Sequence, residues 1–216
     1  FVATYIVLVV VFFVGSLNTT DAFTIAFAFA VAVYIVYSSF FLSGPHTNGM
    51  VTLLVFTQYI PLPAPPMSLG GLHVLVYLAA QAGASVLAGL TVWGVQETSS
   101  TLGIPELPVG RTVWTGLLTE SIAAFIVYIV ILNIIGNYFK PSREDMKYNN
   151  RSLAIGLAHF AAVVVFGPIS GAAINPWRHF GVAVFVGFKS YWWIYYAGPA
   201  IGAFVAAIVY RMVTRD

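Results

Sequence analysis

The sequence predicts an all-α membrane protein, with six transmembrane helices and two re-entrant half-helices arranged as an inverted three-plus-three repeat. Three observations carry this expectation. Of the 216 residues, 60% are apolar and 7% charged, with a mean hydropathy of +0.91, a balance foreign to soluble globular domains. Six windows are apolar over the length of a membrane span. Two shorter segments, one in each half, repeat a Ser-Gly-x-x-x-Asn pattern.

About 20 apolar residues cross the ~30 Å hydrocarbon core as a helix, which satisfies its own backbone polar groups. The windows are residues 1–17, 22–42, 71–94, 113–136, 152–169 and 191–212. The ten-residue alternating segments of a β-barrel are absent from the pattern. The first window begins at residue 1 without a charged lead, so a preceding segment is expected to have been lost. Its length and the lack of a small-residue cleavage site speak against a signal peptide.

The repeated segments are SGPHTNGMVT at 43–52 and SGAAINPWRHFG at 170–181. Each follows the second span of its half and leads into a short apolar stretch before the third. Because three spans are an odd number, the second copy enters from the opposite face, which makes the repeat inverted. A single domain over 1–216 is expected, with repeat one at 1–94 and repeat two at 112–212. Loops bearing Gly and Asn would leave backbone groups unpaired in lipid, so they must be buried in protein or line a wet path. The proline-rich stretch at 57–68 should end the first half-helix and return an extended chain to the third span. The 137–151 loop reads as solvated, and the 95–111 loop, with Pro105 and Pro108, as a cover over the opposite mouth.

Charge orients the chain. Six spans put both termini on one side, where Lys140, Arg143, Lys147, Arg151, Arg211 and Arg215 fall, against Arg111, Arg178 and Lys189 opposite. The positive-inside rule then makes the termini cytoplasmic. A net charge of +2 gives no reason to expect a nucleic-acid partner. Cysteine is absent, and no phosphate loop, paired carboxylates or metal-spaced His-Glu cluster occurs. An enzyme, a metal and a cofactor are therefore not expected.

Asn48 and Asn175 are the first functional candidates. Each stands at the start of a half-helix, where free N–H groups and the positive dipole end point at the meeting place. An Asn there can cap with its oxygen and still offer its NH2 outward. Each Asn as a mere cap is the plainer alternative, which the duplicated context disfavours. Arg178, a cation near a membrane mouth, is functional by default, against a snorkelling role at the headgroups.

These two segments resemble the paired Asn-Pro-Ala boxes of the aquaporin, or major intrinsic protein, family. The second matches closely and departs at Trp177 and His179. The first keeps Ser43, Gly44, His46 and Asn48 but carries Gly49 and Met50 in place of Pro and Ala. Residues 1–4, Gln81 with Gly83 and Ala84, Glu120, the 153–158 run LAIGLA and the 197–203 run AGPAIGA also resemble family spans; the family's first-span Glu would precede Phe1.

The resemblance implies a passive channel for water, with small uncharged solutes as a further cargo, in a homotetramer with one pore per subunit. Arg178 would line an outer constriction with Phe27 (or Ala28), Val163 and Ala172. His46 and Glu120 would support the loops, with a proton relay through Glu120 as the lesser alternative, and His159 reads as packed. Water-selective members carry His where Val163 stands, whereas glycerol-conducting members carry Asp where His179 stands. Ala183 and the Tyr195–Tyr196 pair resemble the water type, so the signals for cargo point both ways. Pro176 keeps the family's proline, but Trp177 replaces its Ala. The indole either fills the space left at Gly49 or intrudes on the path. The second option, with Met50, gives the alternative of a non-conducting structural subunit.

Overall fold

A computed structural model describes residues 1–17, 21–39, 46–56, 71–96, 101–138 and 151–214. Six long helices appear in it: α1 (Val2–Ser16), α2 (Ala22–Ser39), α4 (Gly71–Gln96), α5 (Val113–Tyr138), α6 (Arg151–Ser170) and α8 (Ile194–Thr214). Two short ones, α3 (Gly49–Phe56) and α7 (Pro176–Val186), begin within the repeated segments. By length and composition α2, α4, α5, α6 and α8 can each cross a bilayer, while α1 is shorter at 15 residues. Among the described residues there is no strand. The sixth long helix starts at Ile194 rather than 191, because turn bonds such as Trp192 N–H to Lys189 O (3.0 Å) hold the preceding residues outside the helix.

The inverted repeat is visible in the packing. Exchanging α1 with α5, α2 with α6, α3 with α7 and α4 with α8 maps the helix pairs onto one another: α1 on α4 becomes α5 on α8, and α4 on α7 becomes α8 on α3. The α2–α6 and α3–α7 contacts map onto themselves and mark the axis. With no hydrophobic drive between spans in lipid, close approach requires small residues. A Cβ at Gly198 would lie 2.5 Å from Glu120 Cβ, and one at Gly202 2.5 Å from Ser121 O, so the 197–203 run sets the α5–α8 distance. Gly156 plays the same part against Ala30 O on α2.

The covering loop is seen in part. Leu102 and Ile104 are buried against the α1 and α7 residues Phe12 and Val182, and the chain over 101–112 shelters one end of the bundle. The proline-rich stretch at 57–68, the Ser43–Gly44 start of the first box, Lys140, Arg143 and Lys147 of the 137–151 loop, and Arg215 lie outside the described residues.

Candidate functional site

The half-helices α3 and α7 meet start to start. Asn175 takes extended backbone angles (φ −118°, ψ 118°), accepts the Trp177 N–H on its Oδ1 at 3.1 Å, and is followed by Pro176, whose missing N–H costs nothing at the first helical position. Asn48 does the same for α3, its Oδ1 accepting the Met50 N–H at 3.0 Å. Each side-chain nitrogen then crosses to the other copy. Asn175 Nδ2 donates to Thr47 O at 2.8 Å, and Asn48 Nδ2 reaches Ile174 O at 3.5 Å. Each asparagine thus addresses the carbonyl just before its counterpart, and both side chains are buried.

The approach to α7 is held from outside. Ser170 Oγ donates to Glu120 Oε1 at 2.7 Å, the Ala173 N–H to the same oxygen at 3.0 Å, and the Ile174 N–H to Oε2 at 3.0 Å. Three donors around one buried carboxylate satisfy what a loop inside the bundle would otherwise leave bare. The fixed backbone includes positive φ at Gly171 (89°), Ala172 (41°) and Ile174 (60°), an uncommon conformation for a β-branched residue. Arg178 Nη1 donates to Gly171 O at 3.0 Å and to Ala172 O. Its Nε is buried without a partner among the described residues.

A cavity of about 360 Å³ opens beside Arg178, lined among others by Ile25, Pro105, Glu106, Val163 and Gly171. Val163 and Arg178 therefore share one space. Ala172 joins them through its carbonyl rather than as a lining side chain. Phe27 does not join them: it is 58% exposed, whereas Phe29 is 1% exposed and its ring centroid lies 5.4 Å from Arg178 Cζ. Two residues along a helix rotate a side chain by about 200°, so Phe27 faces outward and Phe29 is the aromatic residue that meets the arginine. Ala28, the alternative alignment, is likewise displaced by Phe29. His159 packs as expected, with Nδ1 2.8 Å from Ile155 O and its ring 5.0 Å from that of Phe29.

Trp177 lodges against the first half-helix. A Cβ on Gly49 would sit 2.9 Å from the indole Nε1, so the ring occupies the space that glycine leaves open. The indole Nε1 donates to Gln81 Oε1 at 2.8 Å, Gln81 Nε2 donates to Thr52 Oγ1 at 2.8 Å, and His46 Nδ1 stands 3.1 Å from the same hydroxyl. His46 O in turn accepts from Thr4 Oγ1 at 3.3 Å. Met50 packs, partly buried, on the main apolar core. His179 lies stacked on Tyr195, 4.7 Å between centroids.

Two further residues escaped the sequence reading. Phe29 lies two positions beyond the expected Phe27 and one beyond the alternative Ala28. Tyr128 is fully buried, with its hydroxyl 3.0 Å from Asn48 Nδ2 and 2.5 Å from Ile174 O. Its signal was faint: a lone hydroxyl two turns beyond Glu120 on an otherwise apolar run.

Two half-helices buried start to start between six long apolar helices define an integral membrane protein built like a channel. Residues 1–210 match the major intrinsic protein family. The chain is similar to aquaporin PIP2-4 of Oryza sativa subsp. japonica, 33% identical over 206 residues that cover 88% of this chain and 66% of that protein. It is also similar to aquaporin PIP2-1 of Arabidopsis thaliana, 31% identical over 199 residues covering 88% and 66%. The chain thus spans about two-thirds of the length of these relatives. Among solved structures, the aquaglyceroporin from Plasmodium falciparum superposes with a TM-score of 0.77 at 20% identity, covering 98% of this chain and 94% of that one. The chain belongs to the major intrinsic protein family.

Proposed function

We propose that this protein is a passive channel in which water, and with it small uncharged solutes, passes between Asn48 and Asn175. The observation that supports it is the reciprocal meeting of the two asparagines at the starts of opposed half-helices. Both positive dipole ends face the crossing, so cations are disfavoured there while a neutral hydroxyl finds amide donors. Arg178, with Phe29 and Val163, would form the constriction at the mouth. Its guanidinium is spread over two carbonyls and an aromatic face, and so stands as a fixed positive barrier in a narrow space.

Glu120 fits a supporting role in this reading: all three of its described bonds go to the loop. His46 fits the same role through Thr52. The position of Trp177 against Gly49 favours packing compensation over obstruction by the indole. A homotetramer with cytoplasmic termini, built as a single domain from repeats at 1–94 and 112–212, completes the proposal.

Purified protein in liposomes tests it by light scattering during osmotic shrinkage. Water permeability several times that of empty vesicles is expected, with glycerol entry measured in parallel. Permeability equal to empty vesicles for both solutes rejects conduction. Arg178→Ala should raise the glycerol-to-water ratio; an unchanged ratio removes the arginine from the constriction.

A further inference from the structure

The two asparagines are not equally available to a passing molecule. Asn175 spends one amide proton on Thr47 O, and its other has no partner among the described residues. Asn48 directs its amide at Ile174 O, 3.5 Å away, and at the Tyr128 hydroxyl, 3.0 Å away. That hydroxyl has one proton. Two acceptors lie within its reach, Ile174 O at 2.5 Å and Asn48 Oδ1 at 3.3 Å; the much shorter approach makes Ile174 O the acceptor, and toward Asn48 Nδ2 the hydroxyl accepts. Donating to a loop carbonyl while accepting from an asparagine amide is the bonding that a water or an alcohol would have at the same place.

We propose that Tyr128 is a built-in gate, its hydroxyl occupying at Asn48 the place that a permeating water or hydroxyl must take. This rests on the reading of a path between Asn48 and Asn175 and names the side chain that controls it. The ring itself is fully buried in the main apolar core, which includes Val127 and Ile131. The phenol is anchored there by its bonds to Ile174 O and Asn48. Opening requires the hydroxyl to leave Ile174 O and Asn48 together, and the amide and carbonyl it abandons are then satisfied by the incoming molecule. A solute able to both donate and accept makes that exchange without leaving either group unpaired. An apolar solute does not, and the cost of an unpaired buried group excludes it.

The barrier is thereby assigned to Tyr128 on α5 and not to Trp177. The indole is retained by Gln81 and by the absence of a Cβ at Gly49, and nothing in the proposal requires it to move.

The test compares shrinkage rates of liposomes carrying wild type, Tyr128→Leu, Tyr128→Phe or Trp177→Ala at equal protein content, each first shown to be monodisperse in detergent. Tyr128→Leu removes ring and hydroxyl and should raise water permeability about tenfold. Tyr128→Phe keeps the fold's volume and removes only the bonds to Asn48 and Ile174. It should raise permeability two- to threefold and keeps the test alive should the leucine variant not fold. Trp177→Ala should stay at or below wild type. The proposal is overturned if no Tyr128 variant exceeds wild type, or if Trp177→Ala exceeds them both. Wild type conducting with the Tyr128 variants no faster sinks the gate alone. Wild type and all variants matching empty vesicles sink the channel reading as well.

Discussion

In the second half of the chain, the loop entering α7 is pinned by charge: the Glu120 carboxylate takes Ser170 and two N–H groups, and Arg178 takes two carbonyls. In the first half, the chain entering α3 is held by neutral groups, through Thr4, His46, Thr52, Gln81 and the Trp177 indole. The geometry of the two asparagines is nevertheless alike, with caps of 3.1 and 3.0 Å. The same half-helix start can therefore be built from ions or from hydroxyls and amides, provided that every buried backbone group finds a partner. The difference lies in how damage spreads. A carboxylate with three donors is a single point of failure, whereas a neutral chain loses one bond at a time.

Removing the carboxylate should break this comparison hardest. Glu120→Ala leaves two buried N–H groups unpaired, and a loss of about 3–5 kcal/mol in thermal unfolding in detergent is expected. Glu120→Gln, which can still accept, should lose markedly less. Equal losses would mean that the charge is not what holds the loop.

Trp177→Ala should come next, at about 3 kcal/mol, combining a cavity with the loss of a bond to Gln81. Trp177→Phe should recover most of the packing and cost about 1 kcal/mol. Should the phenylalanine variant prove as unstable as the alanine one, the network through Gln81 matters more than the volume filled.

Gly49→Ala sharpens the contrast at lower cost. The added methyl meets the indole at 2.9 Å and should destabilise by about 1–2 kcal/mol. In the Trp177→Ala background the clash disappears, so the two changes should be non-additive by about 1 kcal/mol in a double-mutant cycle. Additivity would show that glycine and indole are independent departures from the family pattern.

The smallest effect belongs to an exposed carboxylate. Asp21 Oδ1 accepts the Thr24 N–H at 2.7 Å at the start of α2, and this bond holds its carboxyl below the ordinary value of 3.8. A lowered folded-state pKa means that the contribution is present above pH 3.8 and fades as pH falls through the folded value. Faster hydrogen exchange at Thr24 below that point, with no change in global unfolding, is the expected result. A global change would show that a solvated cap carries as much as the buried one.

Much of this site was legible in the residues. The duplicated Ser-Gly-x-x-x-Asn pattern located both half-helices, because capping and dipole chemistry act within a few residues. Glu120 was legible as well, since a carboxylate in an apolar span must find donors. Phe27 was the failure, and its cause is rotational. One helix step turns a side chain by about 100°, so a one- or two-residue slip exchanges the lipid face for the inner face. Tyr128 was illegible for another reason. A hydroxyl in an apolar run gives no hint of which of many distant groups it will meet, and its partners are 80 and 46 residues away.

What the residues determined by themselves is local or compositional: the spans, the inverted order of the halves, the capped starts and the charge that needs partners. Which aromatic ring meets Arg178, where the Trp177 indole lodges and which hydroxyl reaches Asn48 were decided only by tertiary structure. Those outcomes depend on the relative rotation of helices far apart in the chain, and close packing fixes that rotation for all of them at once.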